Sequence, residues 1–204
     1  MPDYLWGITT FVLAASITPG PNNLMLTASG ANYGFRRTVP HMAGIMIGFA
    51  IMVMAVGLGL AQVFAAYPWI QQVLKYACFA YLVYLAYRMG TATVPPKTAH
   101  NLQTESVSKP LSFVQAALFQ WINPKAWFMV ISAISTFTAS SSDAIMSVSL
   151  IALIFLIVFI PCAAIWTGFG VALSHFLTGA RLRVFNWCMA ILMVASVIPF
   201  VLHF

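Results

Sequence analysis

Two short stretches of this chain hold the residues with chemistry in them. One is Thr18-Pro19-Gly20-Pro21-Asn22-Asn23 and the other is Asn123-Pro124-Lys125, each interrupting a long apolar run. Proline has no backbone N–H, so an unbroken helix through Pro19 and Pro21 would leave the carbonyls of Ala15 and Ile17 without partners. Thr18-Pro19 and Asn123-Pro124 have the order of a helix start, an N-cap side chain followed by proline at the first helical position. Such a start presents free N–H groups and a positive dipole end, which suit an anionic group such as a carboxylate. Asn22 and Asn23 add amide donors and acceptors of the kind that hold a zwitterion, and Lys125 adds an ammonium. The expected chemistry is recognition of a small zwitterion or anion.

The elements that must position these residues lie in a bilayer. Of 204 residues, 62% are hydrophobic and only 6% charged, against roughly 25% charged in a soluble domain. Six apolar runs can be marked: Tyr4–Ser29, His41–Ala65, Gln71–Met89, Leu111–Thr138, Ile145–Leu173 and Val184–Leu202. At ~1.5 Å per residue each is long enough for a helix to cross a hydrocarbon core of roughly 30 Å. The two interruptions fall inside the first and fourth runs. A break at membrane depth persists only where protein buries it or where it lines a watery cavity. A cation such as Lys125 within a span costs ~2.5–3.5 kcal/mol, so it should face the protein interior with a partner; snorkelling to an interface is the alternative. The first run lacks a basic segment before it, and its helix is expected to be uncleaved.

The connections give the orientation. Arg36, Arg37, Arg88, Lys97, Lys109, Arg181 and Arg183 lie on one set of loops, together with Glu105. The alternate set has Asp3, the Tyr67-Pro68-Trp69 turn, Asp143 and Phe204, with Lys75 as its only nearby cation. Cations gather on the cytoplasmic side, so both termini are expected outside. Residues 91–110 form a polar linker, expected in the cytoplasm, between a three-helix half at 1–90 and another at 111–204. Three helices per half insert the halves in opposite senses, as an inverted repeat requires. The expected architecture is an all-α integral membrane protein, with six transmembrane helices in two inverted three-helix repeats and with helices 1 and 4 broken.

The remaining residues narrow the function. Asp3, Glu105 and Asp143 all lie in terminal or loop positions, leaving no carboxylate for the membrane core. A cationic substrate would need one; a neutral zwitterion or an anion does not. If protons are coupled to transport, Lys125, His41 or the substrate's own groups must carry them. His41, at the cytoplasmic mouth of helix 2, is read first as an interfacial structural residue. The net charge of +6 belongs to the loops and is no nucleic-acid footprint. Cys78, Cys162 and Cys188 have no metal or redox spacing and are read as packing residues. His100, His175 and His203 are too dispersed for a metal site, and no catalytic or nucleotide-binding motif appears. No cofactor or metal is expected. Trp6, Tyr67, Trp69, Tyr84 and Tyr87 suit an interfacial belt. Gly44-xxx-Gly48, Gly57, Gly59, Gly168 and Gly170 are read either as close helix contacts or as hinges, and Pro161 as a kink.

Several stretches together resemble the LysE/RhtB family of amino-acid exporters. They are Ser16-Ile17-Thr18-Pro19-Gly20-Pro21-Asn22-Asn23, Gly34-Phe35-Arg36-Arg37, Gly44-xxx-Gly48-Phe49 and Gln120-Trp121-Ile122-Asn123-Pro124-Lys125-Ala126-Trp127. The resemblance covers essentially the whole chain and is nearest to the branch exporting cysteine and O-acetylserine. It implies efflux of amino acids or their derivatives across the bacterial inner membrane, driven by the proton gradient. Carried onto this sequence, the substrate path would involve Thr18, Pro19, Gly20, Pro21, Asn22, Asn23, Asn123, Pro124 and Lys125. The expected function is proton-coupled export of small neutral amino acids. A membrane-embedded enzyme or assembly factor, a passive channel, and an exporter of another small solute are the alternatives. The oligomeric state is left open by the residues.

Overall fold

The computed structural model describes residues 2–60, 62, 66–92, 109–138 and 143–199. Lys97, His100 and Glu105 of the linker, and His203 and Phe204, lie outside the described residues. All regular structure among the described residues is helical. It comprises α1 (Pro2–Ile17), α2 (Pro21–Tyr33), α3 (Phe35–Ala55), α4 (Pro68–Gly90), α5 (Phe113–Phe119), α6 (Pro124–Thr138), α7 (Ala144–Ser174) and α8 (Ala180–Ala195). A wider π-type turn, Val56–Leu60, prolongs α3 and ends near Gly59, whose φ of 123° suits a residue without a Cβ. A 3-10 turn, Gln120–Ile122, follows α5.

The eight helices correspond to the six apolar runs, because the first and fourth are each divided. Phe35–Leu60 and Ala144–Ser174, 26 and 31 residues long, are each apolar and long enough to cross a membrane alone. The pairs α1–α2 and α5–α6 are shorter pieces placed end to end. Boundaries differ from the hydropathy reading where polar turns belong to helices. Thus α3 starts at Phe35 rather than His41 and carries Pro40 in its second turn, while α8 starts at Ala180 rather than Val184. Asp143 caps α7 by accepting from the Met146 N–H at 2.9 Å. Pro161 lies within α7, which remains one helix to Ser174.

Helix α7 packs against α1, α2 and α3; α3 also packs against α5, and α4 pairs with α8. Small residues allow these approaches. A Cβ on Gly30 would run into the Thr167 carbonyl, and one on Gly170 into that of Thr27, so α2 and α7 touch backbone to backbone. Gly44 and Gly48 seat α3 on Phe113 and Ala117 of α5 in the same way. At these positions the close-contact reading of the glycines holds.

One apolar cluster gathers Val12, Phe49, Met52, Val130, Ile151 and Phe155 around α7. Leu24, Leu82, Leu85, Phe119 and Met193 form a second. Outside these, Leu153, Ile157, Ile160, Ile165, Phe169 and Ile191 are exposed, an apolar surface that suits lipid and not water. Trp6, Tyr67, Trp69, Tyr84 and Tyr87 also face outward. Cys78 and Cys162 are buried, but Cys188 is exposed on α8, which corrects its reading as a packing residue.

Candidate functional site

At the first break α1 stops at Ile17 and α2 starts at Pro21, with an extended Gly20 (φ −175°, ψ 177°) before it. The expected N-cap role of Thr18, with a helix starting at Pro19, is therefore wrong. Pro21 disfavours the helical region for the residue before it, and Gly20 is extended, so the new helix begins at Pro21. Thr18 instead turns back, its Oγ1 donating to the Ala15 carbonyl at 2.9 Å. Asn23 closes the gap from the other side. Its Nδ2 donates to the carbonyls of Ser16 (2.8 Å) and Thr18 (2.9 Å), partnering groups the ended helix left free.

The second break keeps the expected order. Ser112 and Gln115 form a capping box that starts α5. The 3-10 turn then delivers an extended Asn123 (φ −85°, ψ 108°), followed by Pro124 at the start of α6. The Asn123 Oδ1 accepts from the Lys125 backbone N–H at 3.1 Å, as an N-cap does. Trp127 braces the turn, its indole N–H donating to the Trp121 carbonyl at 2.9 Å. The two indoles stand edge to face, 6.0 Å apart.

Tertiary packing brings the two breaks together. The Lys125 Nζ donates to the Thr18 carbonyl (2.7 Å), the Thr18 hydroxyl (2.8 Å) and the Pro19 carbonyl (3.3 Å). Its stem lies across Gly20, where a Cβ would be 2.6 Å from Lys125 Cδ. A larger residue at position 20 would have to push the Lys125 stem aside. Beside this contact Asn22 and Gln120 exchange amide bonds, Asn22 Nδ2 to Gln120 Oε1 at 2.8 Å and Gln120 Nε2 to Asn22 Oδ1 at 3.3 Å. Gln120 is fully buried and also donates to the Ala116 carbonyl at 2.8 Å.

A cavity of about 30 Å³ remains between the breaks, lined by Ser16, Asn22, Asn23, Asn123 and Lys125 with Phe49. That is room for little more than a water molecule. In this form Lys125 and Gln120 bond across to Thr18, Pro19 and Asn22, while the buried Ser16 hydroxyl beside the cavity has no partner among the described residues. Among the described residues no acidic side chain lines the cavity, and no His, Cys, Asp or Glu residues form a group suited to a metal.

Every residue from Thr18 to Asn23 and from Asn123 to Lys125 thus lies at one junction. His41 does not. It is buried in α3 and lines a separate cavity with Ser29, Asn32 and Arg88, beside the start and end of the linker. Gln120 was absent from the site residues proposed from sequence. Its polar side chain in an apolar run, three positions before Asn123, was the available signal.

The chain is also similar in sequence to known proteins. Residues 13–202 match the family model described as "LysE type translocator". A cysteine/O-acetylserine efflux protein of Escherichia coli (strain K12) is 31% identical over 145 residues, covering 71% of this chain and 70% of that protein. Proteins of the same description from Shigella sonnei (strain Ss046) and Escherichia coli O1:K1 / APEC are 31% and 32% identical over the same length and coverage. No solved structure matches the chain.

Proposed function

The chain belongs to the LysE type translocator family, and we propose that it exports small neutral amino acids or their derivatives by proton antiport. Members of this family are transporters, not enzymes, and its efflux relatives support amino acids as the exported solutes. The relatives named for cysteine and O-acetylserine efflux point to solutes of that size and charge. The observation that carries the reading is the junction itself. One ammonium and the start of α6 face the carbonyls of Thr18 and Pro19, with no carboxylate nearby. A zwitterion supplies what this junction lacks: its carboxylate can take the place of the Thr18 carbonyl on Lys125, and its ammonium can then take that carbonyl.

In this mechanism the described form is closed, and transport requires the breaks to part. The substrate-binding set is Thr18, Pro19, Gly20, Pro21, Asn22, Asn23, Asn123, Pro124 and Lys125. Asn23 holds the end of α1, and the Asn22–Gln120 pair is the second contact to open. Lys125 carries the coupled proton, which its withdrawal from the carbonyls would release.

The helix pairings support an inverted repeat. Exchange of the halves swaps the α1–α7 contact for α5–α3 and maps α3–α7 and α4–α8 each onto itself, while α2–α7 is far more extensive than its counterpart α6–α3. Cations on the Arg36, Arg88 and Arg181 side favour a cytoplasmic location for that side, in a bacterial inner membrane.

The test is uptake of labelled amino acids into everted vesicles under a pH gradient. O-acetylserine and other neutral amino acids should accumulate, and accumulation should vanish when the gradient is collapsed. Uptake that survives the collapse, or none above vesicles lacking the protein, would refute the reading.

A further inference from the structure

A second cavity, of about 80 Å³, lies where α2 and α4 end and α5 begins, lined by Ser29, Asn32, His41, Leu85, Arg88 and Lys109. It sits roughly 10–15 Å along α2 from the breaks, given ~1.5 Å per residue between Asn22 and Asn32. Leu26, Ile45 and Ala116 pack as an apolar cluster between these levels. It is larger than the central cavity, and its polar groups fall into two kinds.

Some are already satisfied. Asn32 and Asn186 exchange amide bonds at 2.7 and 3.0 Å, and Asn32 Nδ2 also donates to the Ala28 carbonyl at 2.8 Å. Ser29 and Thr38 share a hydroxyl bond of 2.8 Å. The others are unspent. His41 is 1% exposed, yet neither ring nitrogen has a hydrogen-bond partner among the described residues. A buried imidazole left so loses the bonds water would have made. Arg88 and Lys109 line the same space with exposed side chains, and among the described residues no acidic side chain lines it.

An imidazole N–H and two cations around a space without carboxylates match an anionic oxygen group. We propose that this cavity is a second binding site, which takes the carboxylate of the solute on Arg88, Lys109 and His41 before the solute reaches the breaks. This rests on the exporter reading. Phospholipid headgroups share the anionic chemistry, but the fully buried His41 favours a group small enough to enter the bundle.

The full-length chain in nanodiscs of zwitterionic lipid provides the test, with the acylation rate of Lys109 by an amine reagent followed by mass spectrometry. O-acetylserine should slow that rate, serinamide, which lacks the carboxylate, should not, and His41→Leu should abolish the protection while His41→Gln keeps part of it. In vesicles, Arg88→Gln should raise KM about tenfold, the effect of one charge-assisted bond, with kcat unchanged. Lys125→Met, at the breaks themselves, should lower kcat as well as raise KM. Protection by O-acetylserine without any transport by the wild type would sink the exporter reading and leave the anion site standing. Transport by the wild type with no protection of Lys109 and an unchanged KM in Arg88→Gln would overturn the site. So would protection of Lys109 that requires phosphatidylglycerol in the nanodisc and ignores O-acetylserine, which would assign the cavity to lipid.

Discussion

The Lys125 ammonium lies 2.7 Å from the carbonyl oxygen of Thr18, a residue 107 positions earlier in the chain. The same ammonium reaches the Thr18 hydroxyl and the Pro19 carbonyl. One side chain thus ties the break in the first span to the break in the fourth. Substrate has to compete with that tie.

Removal of the charge should weaken substrate binding more than folding. Lys125→Met keeps most of the stem that covers Gly20, so the protein should still insert and accumulate. The loss of a charge-assisted bond should cost roughly 1.5–3 kcal/mol, about ten- to a hundred-fold in affinity at the site. Lys125→Arg should retain binding but lose coupling to the pH gradient, since guanidinium does not release its proton. Normal transport by well-folded Lys125→Met would make the lysine structural.

Two glycine substitutions should separate function from stability. At Gly20 a Cβ meets the Lys125 Cδ at 2.6 Å, the middle of a flexible side chain. At Gly170 it meets the Thr27 carbonyl, which is backbone. Gly20→Ala should therefore displace Lys125 and cut transport with a small change in Tm. Gly170→Ala should lower stability by about 1–3 kcal/mol, as overpacking does, because two helices must move apart. Thermal melting and vesicle uptake measure the two effects. Unimpaired uptake by Gly20→Ala would remove Lys125 from the mechanism.

Substrate charge follows from the missing carboxylate. The central cavity has Lys125 and no acidic lining, so a lysine or arginine side chain would enter it uncompensated. Overexpression should protect cells from toxic neutral amino-acid analogues and not from the arginine analogue canavanine. The reverse pattern of growth would contradict the proposed specificity.

Orientation can be read with introduced cysteines in a Cys188→Ser background. Thr178 and Tyr67 are both exposed and lie in turns after α7 and before α4, respectively. Tyr67→Cys should react with a membrane-impermeant thiol reagent in intact cells, and Thr178→Cys only after lysis. Opposite labelling would invert the direction of transport.

What the sequence determined by itself was local and compositional. The scarcity of charge in six long apolar runs, with only Lys75, Arg88 and Lys125 inside them, pointed to a membrane. The prolines at 19, 21 and 124, set among Thr18, Gly20 and Asn123, marked both breaks, whereas Pro40 and Pro161, equally without an N–H, sit inside continuous helices. Even there the start of α2 slipped from Pro19 to Pro21, since Pro21 constrains Gly20 through sterics that a simple cap-and-proline pattern leaves out. The tertiary structure decided the partners. Nothing in the spacing says that Lys125 finds Thr18, that Gln120 finds Asn22, or that Asn23 turns back onto Ser16. Nor does it say that His41 is buried in a second cavity apart from the breaks. Hydrogen-bond partners a hundred residues apart are chosen by how α2, α3, α5 and α7 close on one another. That closure is set by backbone contacts at Gly30, Gly44, Gly48 and Gly170, and a glycine's place on the chain does not name the helix it will touch.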